Sequence, residues 1–385
     1  MTSSPEDLWQ RHGEEWRDPA QIASQWREAN AIDPRLLRSR VRGAFWDLLG
    51  ERALTLIVTR EYEHLIMALS VTDGRPHVSF MPMPHPSGIA VDDAKRSVYV
   101  ASTRNPNQIF ELEPATDDPD RPLVPVRSAF LPGSLYLHDL AFVGGELHGN
   151  AVGHNAVVAL PRKGGWNRVW WPRSIEGADG PDFTRNYLQL NSIAAGPTVR
   201  QSYFSASAAE PSARRPGHQN FPVDGRGVIF GGETREPVAR GLTRPHSARL
   251  SGNRLWVDNS GYGELVAIED GQAAVVARLP GWTRGLWLQD GLAFVGTSRV
   301  IPRFRSYAPG LDVEASVCGV HAVELASGSI LGSIVWPAGN QVFGIDAVDA
   351  SVTAGFPFTV ARGAATDTAR TRAIFYSLST GGADR

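Results

Sequence analysis

From Leu54 onward the apolar residues fall into short runs rich in Val, Ile, Phe and Tyr, separated by Gly, Pro, Asn and Asp every 8 to 12 residues or so. Runs this short cannot carry a helical stripe, and the pattern predicts an all-β sandwich, barrel or propeller. The first 50 residues have a different rhythm. Asp33-Pro34 supplies an N-cap followed by a first-turn proline, and Leu36, Leu37, Val41 and Phe45 recur at helical spacing.

Self-similarity separates the three β architectures, because a propeller repeats one four-stranded unit and must therefore repeat one sequence pattern. Six segments set small or polar residues before a short apolar strand: HPSGIAV (85–91), LHDLAF (137–142), LNSIAA (190–195), PHSARL (245–250), TRGLWL (283–288) and FGIDAV (343–348). Second strands follow in SVYVAST, ELHGNAV, QSYFSAS, NRLWVDNSG and LAFVGTSR, and third strands in NQIFELE, NAVVALP, GVIFGG, ELVAIED and GVHAVEL. The strands from Leu54 to Pro82 precede the first complete unit, while FGIDAV lacks partners of its own. The expectation is a six-bladed β-propeller over residues 54–366 whose two ends share one blade. A helical arm over 1–53 precedes it, and a C-terminal strand with a frayed tail over 367–385 follows, the strand read at Ala373 to Leu378.

In a meander blade the start of strand one lies beside the end of strand two, so both belong to one face of the ring. The starts carry Ser87, His138 with Asp139, Asn191, His246 with Ser247, and Arg284; the ends carry Arg104, Asn150, Asn259 and Arg299. The connections from strand two to strand three return on the same face. Two of them are long, 209–226 with Arg214, Arg215 and His218, and 301–316 with Arg303, Arg305 and Tyr307. Long loops in a compact domain are typically lids or binding loops.

His138 and His246 occupy equivalent positions in different blades and are the sharpest chemical signal. Imidazole ligates metals, shuttles protons or simply hydrogen-bonds, and polar residues line any wet channel. Two versions of a site follow. In one, His138 and His246, with His85 as a third imidazole, hold one divalent metal ion; in the other, they work with Asp139 as acid and base. Arg284, with Arg104 or Arg299, would hold a carboxylate, while Asn150, Asn191 and Asn259 orient the substrate. Trp282 is placed to stack on a ligand at the mouth, whereas Trp256, Trp287 and Trp336 are expected between blades. His148, His154 and His321 read as ordinary blade residues, and His12, Trp9, Trp16 and Trp26 belong to the arm.

The segments RLWVDNSGYGEL, LPGWTRGL and FVGTSRV, with LHDLAF, LNSIAA and RPHSARL, resemble a family of bacterial conserved-hypothetical propellers related in pattern to NHL-type repeats. The resemblance runs from about Pro84 to Phe356 and implies the propeller without implying a reaction. More loosely, the architecture is similar to virginiamycin B lyase and the gluconolactonases, which place a divalent metal or a catalytic histidine at the channel mouth. The gluconolactonase pattern of a Glu with paired Asn/Asp ligands is not reproduced here.

Composition narrows the partners. A formal net charge of -2 gives no basic footprint for nucleic acid. No stretch approaches the roughly 18 apolar residues that cross a bilayer, and no apolar leader is visible in MTSSPEDLWQRHGEEW. Cys318 is the single cysteine, which suits a reducing, cytoplasmic setting. No GxSxG, HExxH, phosphate-loop or paired CxxC motif occurs, and no nucleotide cofactor is expected. The function expected is an enzyme of lyase or hydrolase type acting on a small anionic metabolite or a modified amino acid. The alternatives are a noncatalytic scaffold for a peptide or partner protein, and a copper or iron redox enzyme. The arm offers a route to oligomers.

Overall fold

A computed structural model describes residues 31–359 apart from 105, 106, 116–119, 215, 217 and 219, together with 4, 6, 7 and 10. The C-terminal strand expected at 373–378, the frayed tail, His12, Trp9, Trp16, Trp26 and Arg215 lie outside the described residues.

Six antiparallel sheets form a six-bladed β-propeller. Blade 1 is shared by both ends: Gly344–Asp349 is its inner strand, followed outward by Leu54–Arg60, Leu65–Thr72, Arg75–Pro82 and the short Phe358–Thr359. The inner strands of blades 2 to 6 are Pro86–Asp92, Leu137–Val143, Leu190–Ala194, Pro245–Ser251 and Trp282–Gln289, in the order that the repeats prescribe. Apolar clusters sit between neighbouring blades, as where Trp170 of blade 3 packs on Phe204 of blade 4 at 4.1 Å between ring centroids. Trp256 and Trp336 are buried in such clusters and Trp287 packs against one. Cys318 is buried too, its thiol pushed up to about 12 by burial, which makes it an inert core residue. His148, His154 and His321 sit within or between the blades, His321 bonded to Thr297 and Ser333.

Among the described residues from 31 to Leu54, helix alternates with strand. Pro34–Leu37 and Phe45–Glu51 are helices, the first capped by Asp33, but Arg40–Gly43 is a strand that extends blade 6 by pairing with Ile330–Val335. The helical spacing of Val41 is therefore overridden by an open sheet edge that the chain covers. Phe45 and Leu49 are fully buried against the blades.

At the axis the inner strands crowd. A Cβ on Gly88 would lie 2.5 Å from the backbone of Asp139 in the next blade, so glycine is the residue that fits there. Around this narrow ring runs a closed circle of hydrogen bonds, each from a side chain of one blade to a backbone carbonyl at the start of the next. Thr59 donates to Ser87 (2.6 Å), Ser87 to Leu137 (2.9 Å) and Asn150 to Leu190 (2.7 Å). Asn191 donates to Pro245 (2.8 Å), Ser260 to Thr283 (2.6 Å) and Ser298 to Val342 (3.0 Å), which returns the circle to blade 1. Each such bond contributes about 1 kcal/mol and satisfies a carbonyl that the sheet leaves open.

Candidate active site

Two backbone features aim side chains into the channel mouth. In blades 2 to 6 the pairing of the inner strand with its neighbour shifts register at its first residues, around Ser87–Gly88, His138–Asp139, Asn191, Ser247–Ala248 and Arg284–Gly285. Such bulges break the alternation of faces and re-aim the side chains they carry. Just upstream, His85, Tyr136, Gln189 and Arg244 all adopt left-handed backbone, with φ of 46°, 54°, 51° and 54°. For residues with a Cβ this costs roughly 1–2 kcal/mol each, and it turns Tyr136, Gln189 and Arg244 into the mouth.

There they line a cavity of about 210 Å³ with His138, His246, Arg284, Glu61, Gln341 and Phe343. The insertion at 301–316 roofs it with aromatic rings. Phe304 stacks on Tyr307 (5.5 Å, 25°) and on Tyr62 (6.4 Å, 15°), and Trp282 leans on Tyr307 and on His246 at 6.4 and 6.0 Å. Of the charged residues in the two long insertions, Arg305 pairs with exposed Glu314, and Arg214 and His218 bond within their own loop. That loop contributes the carbonyl of Pro216, which accepts from Arg244 at 2.5 Å.

Two guanidinium groups dominate the electrostatics. Arg244 is buried, lies over the Tyr307 ring at 3.9 Å, and bonds Gln189 and Pro216, leaving its Nε buried without a partner. Arg284 lies over the Phe343 ring at 3.2 Å and leaves Nη2 buried and unpartnered. Among the described residues neither is within ion-pair distance of a carboxylate. Burial lowers both to about 10, still far above neutrality, so both stay charged.

Burial, and then the charge of Arg284, hold both histidines well below their ordinary value, so both are neutral. His246 Nδ1 meets the Arg244 carbonyl at 2.8 Å and Ser260 Oγ at 2.9 Å. A carbonyl only accepts, so Nδ1 carries the proton and the lone pair is on Nε2. His138 has neither ring nitrogen bonded and is held edge-on between Tyr136 (4.6 Å) and Phe343 (5.5 Å).

The other residues singled out in the sequence divide by what they touch. Asp139 is not in the cavity; deeper in the channel it forms an ion pair with Arg249 (2.8 Å) and accepts from the backbone of Leu140 and Ile193. Asn150 is used on the backbones of Asp139 and Leu190, and Asn259 on Thr243 and Glu264. Asn191 straps blade 4 to blade 5 through its amide nitrogen, leaving its oxygen buried and unbonded. Arg104 and Arg299 are exposed at the rim, the first near Glu61 (3.7 Å), the second donating to Pro337. His85 packs on His64 at 4.2 Å and faces Glu61 at 3.6 Å instead of joining His138 and His246. Among the described residues no group of three or more His, Cys, Asp or Glu is placed to hold a metal ion, so the three-histidine set does not assemble. Sequence reasoning missed Arg244, Gln189, Tyr136 and Glu61; the signal for the first three is their shared position just ahead of an inner strand.

The fold and matched family agree with the repeats. Residues 43–354 match the model of a family described as a domain of unknown function (DUF4915). No curated protein matches the chain in sequence. Among solved structures it is similar to a nidogen/laminin complex chain, at 10% identity and a TM-score of 0.52, covering 78% of this chain and 99% of that one. A gluconolactonase from Xanthomonas campestris matches at 12% identity and a TM-score of 0.44, over 74% of this chain and 86% of that one. A streptogramin B lyase matches at 12% identity and a TM-score of 0.36, over 70% and 72%. These likenesses concern the fold. Among the described residues no helix is long and apolar enough to cross a membrane.

Proposed function

Since the chain belongs to this family of unknown function, we propose a function from its own site: an enzyme of lyase or hydrolase type acting on a small anionic substrate at the channel mouth. The observation that carries this reading is a pair of guanidinium groups, buried Arg244 and half-buried Arg284, with buried unpartnered N–H groups and, among the described residues, no contacting carboxylate. A buried cation without a counter-ion is costly, and an incoming anion removes that cost.

The neutral imidazoles supply the proton chemistry. His246 presents its Nε2 lone pair because the Arg244 carbonyl holds the Nδ1 proton. An anion bound on Arg284 offsets the charge that depresses His246, so substrate binding itself makes the base stronger. As His246 takes a proton from substrate or from water, negative charge grows on the substrate oxygen, and the Arg284 and Arg244 N–H groups stabilise it. Losing one such donor lowers kcat by roughly 10²–10³. His138, unbonded at both nitrogens, is the second group available to give or receive a proton.

The test is a panel of small carboxylates, benzoate and 3-phenylpropionate among them, assayed by thermal shift and calorimetry. Binding to the wild type and loss in Arg284→Met are expected, while His246→Ala keeps binding but loses turnover of any substrate found. Carboxylates that bind equally to Arg284→Met would overturn the reading.

A further inference from the structure

The anion-holding arginines do not account for every unmatched group in the cavity. Two acceptors stand there as well. Gln341 Oε1 is buried without a partner. Glu61 lines the same wall, buried, and among the described residues its partners Thr103 (2.6 Å), His85 (3.6 Å) and Arg104 (3.7 Å) all lie on Oε1 and none on Oε2. Glu61 is also the group that does most to sustain the charge of Arg284, yet the two are not an ion pair. A ligand with only an anionic group would satisfy the arginine donors, leave Gln341 unmatched and be repelled by Glu61.

We propose that the ligand is a zwitterion of the amino-acid class with an apolar ring-bearing side chain: its carboxylate on Arg284 and Arg244, its ammonium on Glu61 and Gln341, and its ring against the wall of Tyr62, Phe304 and Tyr307. This rests on the anion-site reading above and adds the second pole and the side chain. In an α-amino acid the two charged groups are carried by one carbon, so one small molecule bridges an arginine and a carboxylate that sense each other without touching. Stacked at 5.5 and 6.4 Å, the three rings line the cavity as an apolar wall against which another ring can pack. The cavity, about 210 Å³, is below the roughly 300 Å³ at which drug-sized ligands begin, which favours a single residue over a dipeptide or nucleotide.

Three probes separate the poles: L-phenylalanine, 3-phenylpropionate without the amine, and phenethylamine without the carboxylate, each titrated by calorimetry into the full chain. Phenylalanine is expected to bind at least about tenfold more tightly than phenylpropionate, the scale of one charge-assisted contact. In Glu61→Gln that advantage disappears, with phenylpropionate unchanged or tighter. Gln341→Met, which leaves the Thr103 contact of Glu61 in place, should cut the same advantage in part and guards against misfolding of the first variant. Equal affinity for phenylalanine and phenylpropionate in the wild type overturns the zwitterion and leaves the anion site standing. Binding of phenethylamine alone, or of none of the three, overturns both.

Discussion

The channel contains two charged layers built on opposite principles. At the mouth, buried Arg244 and half-buried Arg284 have, among the described residues, no carboxylate in contact. One layer deeper, a single arginine, Arg249, is paired with Asp139 and sensed by Asp346 and Asp258. The deep layer can neutralise itself, because a buried carboxyl simply keeps its proton. Burial pushes Asp346 up to about 7 and Asp258 well above its ordinary value, and both Asp258 oxygens are unbonded. A guanidinium has no such escape near neutral pH. The deep layer is therefore complete as it stands, and the mouth, on the proposed reading, is completed by an anion.

Replacing Arg249 with Met should produce the largest change, since it strands the buried Asp139 carboxylate: about 3–5 kcal/mol of stability, read from the urea midpoint. Arg284→Met should do the reverse, leaving stability within about 1 kcal/mol of wild type or raising it while abolishing anion binding. A loss as large as that of Arg249→Met would show that both layers are structural and erase the distinction. The smallest effect is in pH dependence. The raised Asp346 binds its proton more tightly folded than unfolded, so its contribution is present below its ordinary 3.8 and fades as pH rises through about 7. Asp346→Asn should therefore gain on the wild type between pH 5 and pH 8, by on the order of 1 kcal/mol, in thermal melts across that range. A constant difference would mean that Asp346 does not titrate in this range.

The strap circle explains why polarity alone did not separate site from scaffold. Ser87, Asn150 and Asn191 share the inner-strand starts and second-strand ends with His138, His246 and Arg284, and look equally functional in a linear reading. What differs is the neighbour: a carbonyl of the next blade lies within 2.7–2.9 Å of Ser87, Asn150 and Asn191. Asp139 likewise looked like a companion for His138 until Arg249, 110 positions away in the chain, was found beside it.

Periodicity and repetition are local, and the sequence determined what they control. The six inner strands, the blade shared by both ends and the face on which polar residues gather all follow from short alternating runs that can bury their apolar side only against a neighbour like themselves. Tertiary structure decided the rest. It set which polar groups found partners across a blade boundary, which aromatic rings of the insertion became a roof, and that Arg40–Gly43 joined a sheet edge. Those outcomes depend on distances between residues far apart in the chain, and burial is what makes an N–H group without a partner at Arg244 and Arg284 costly.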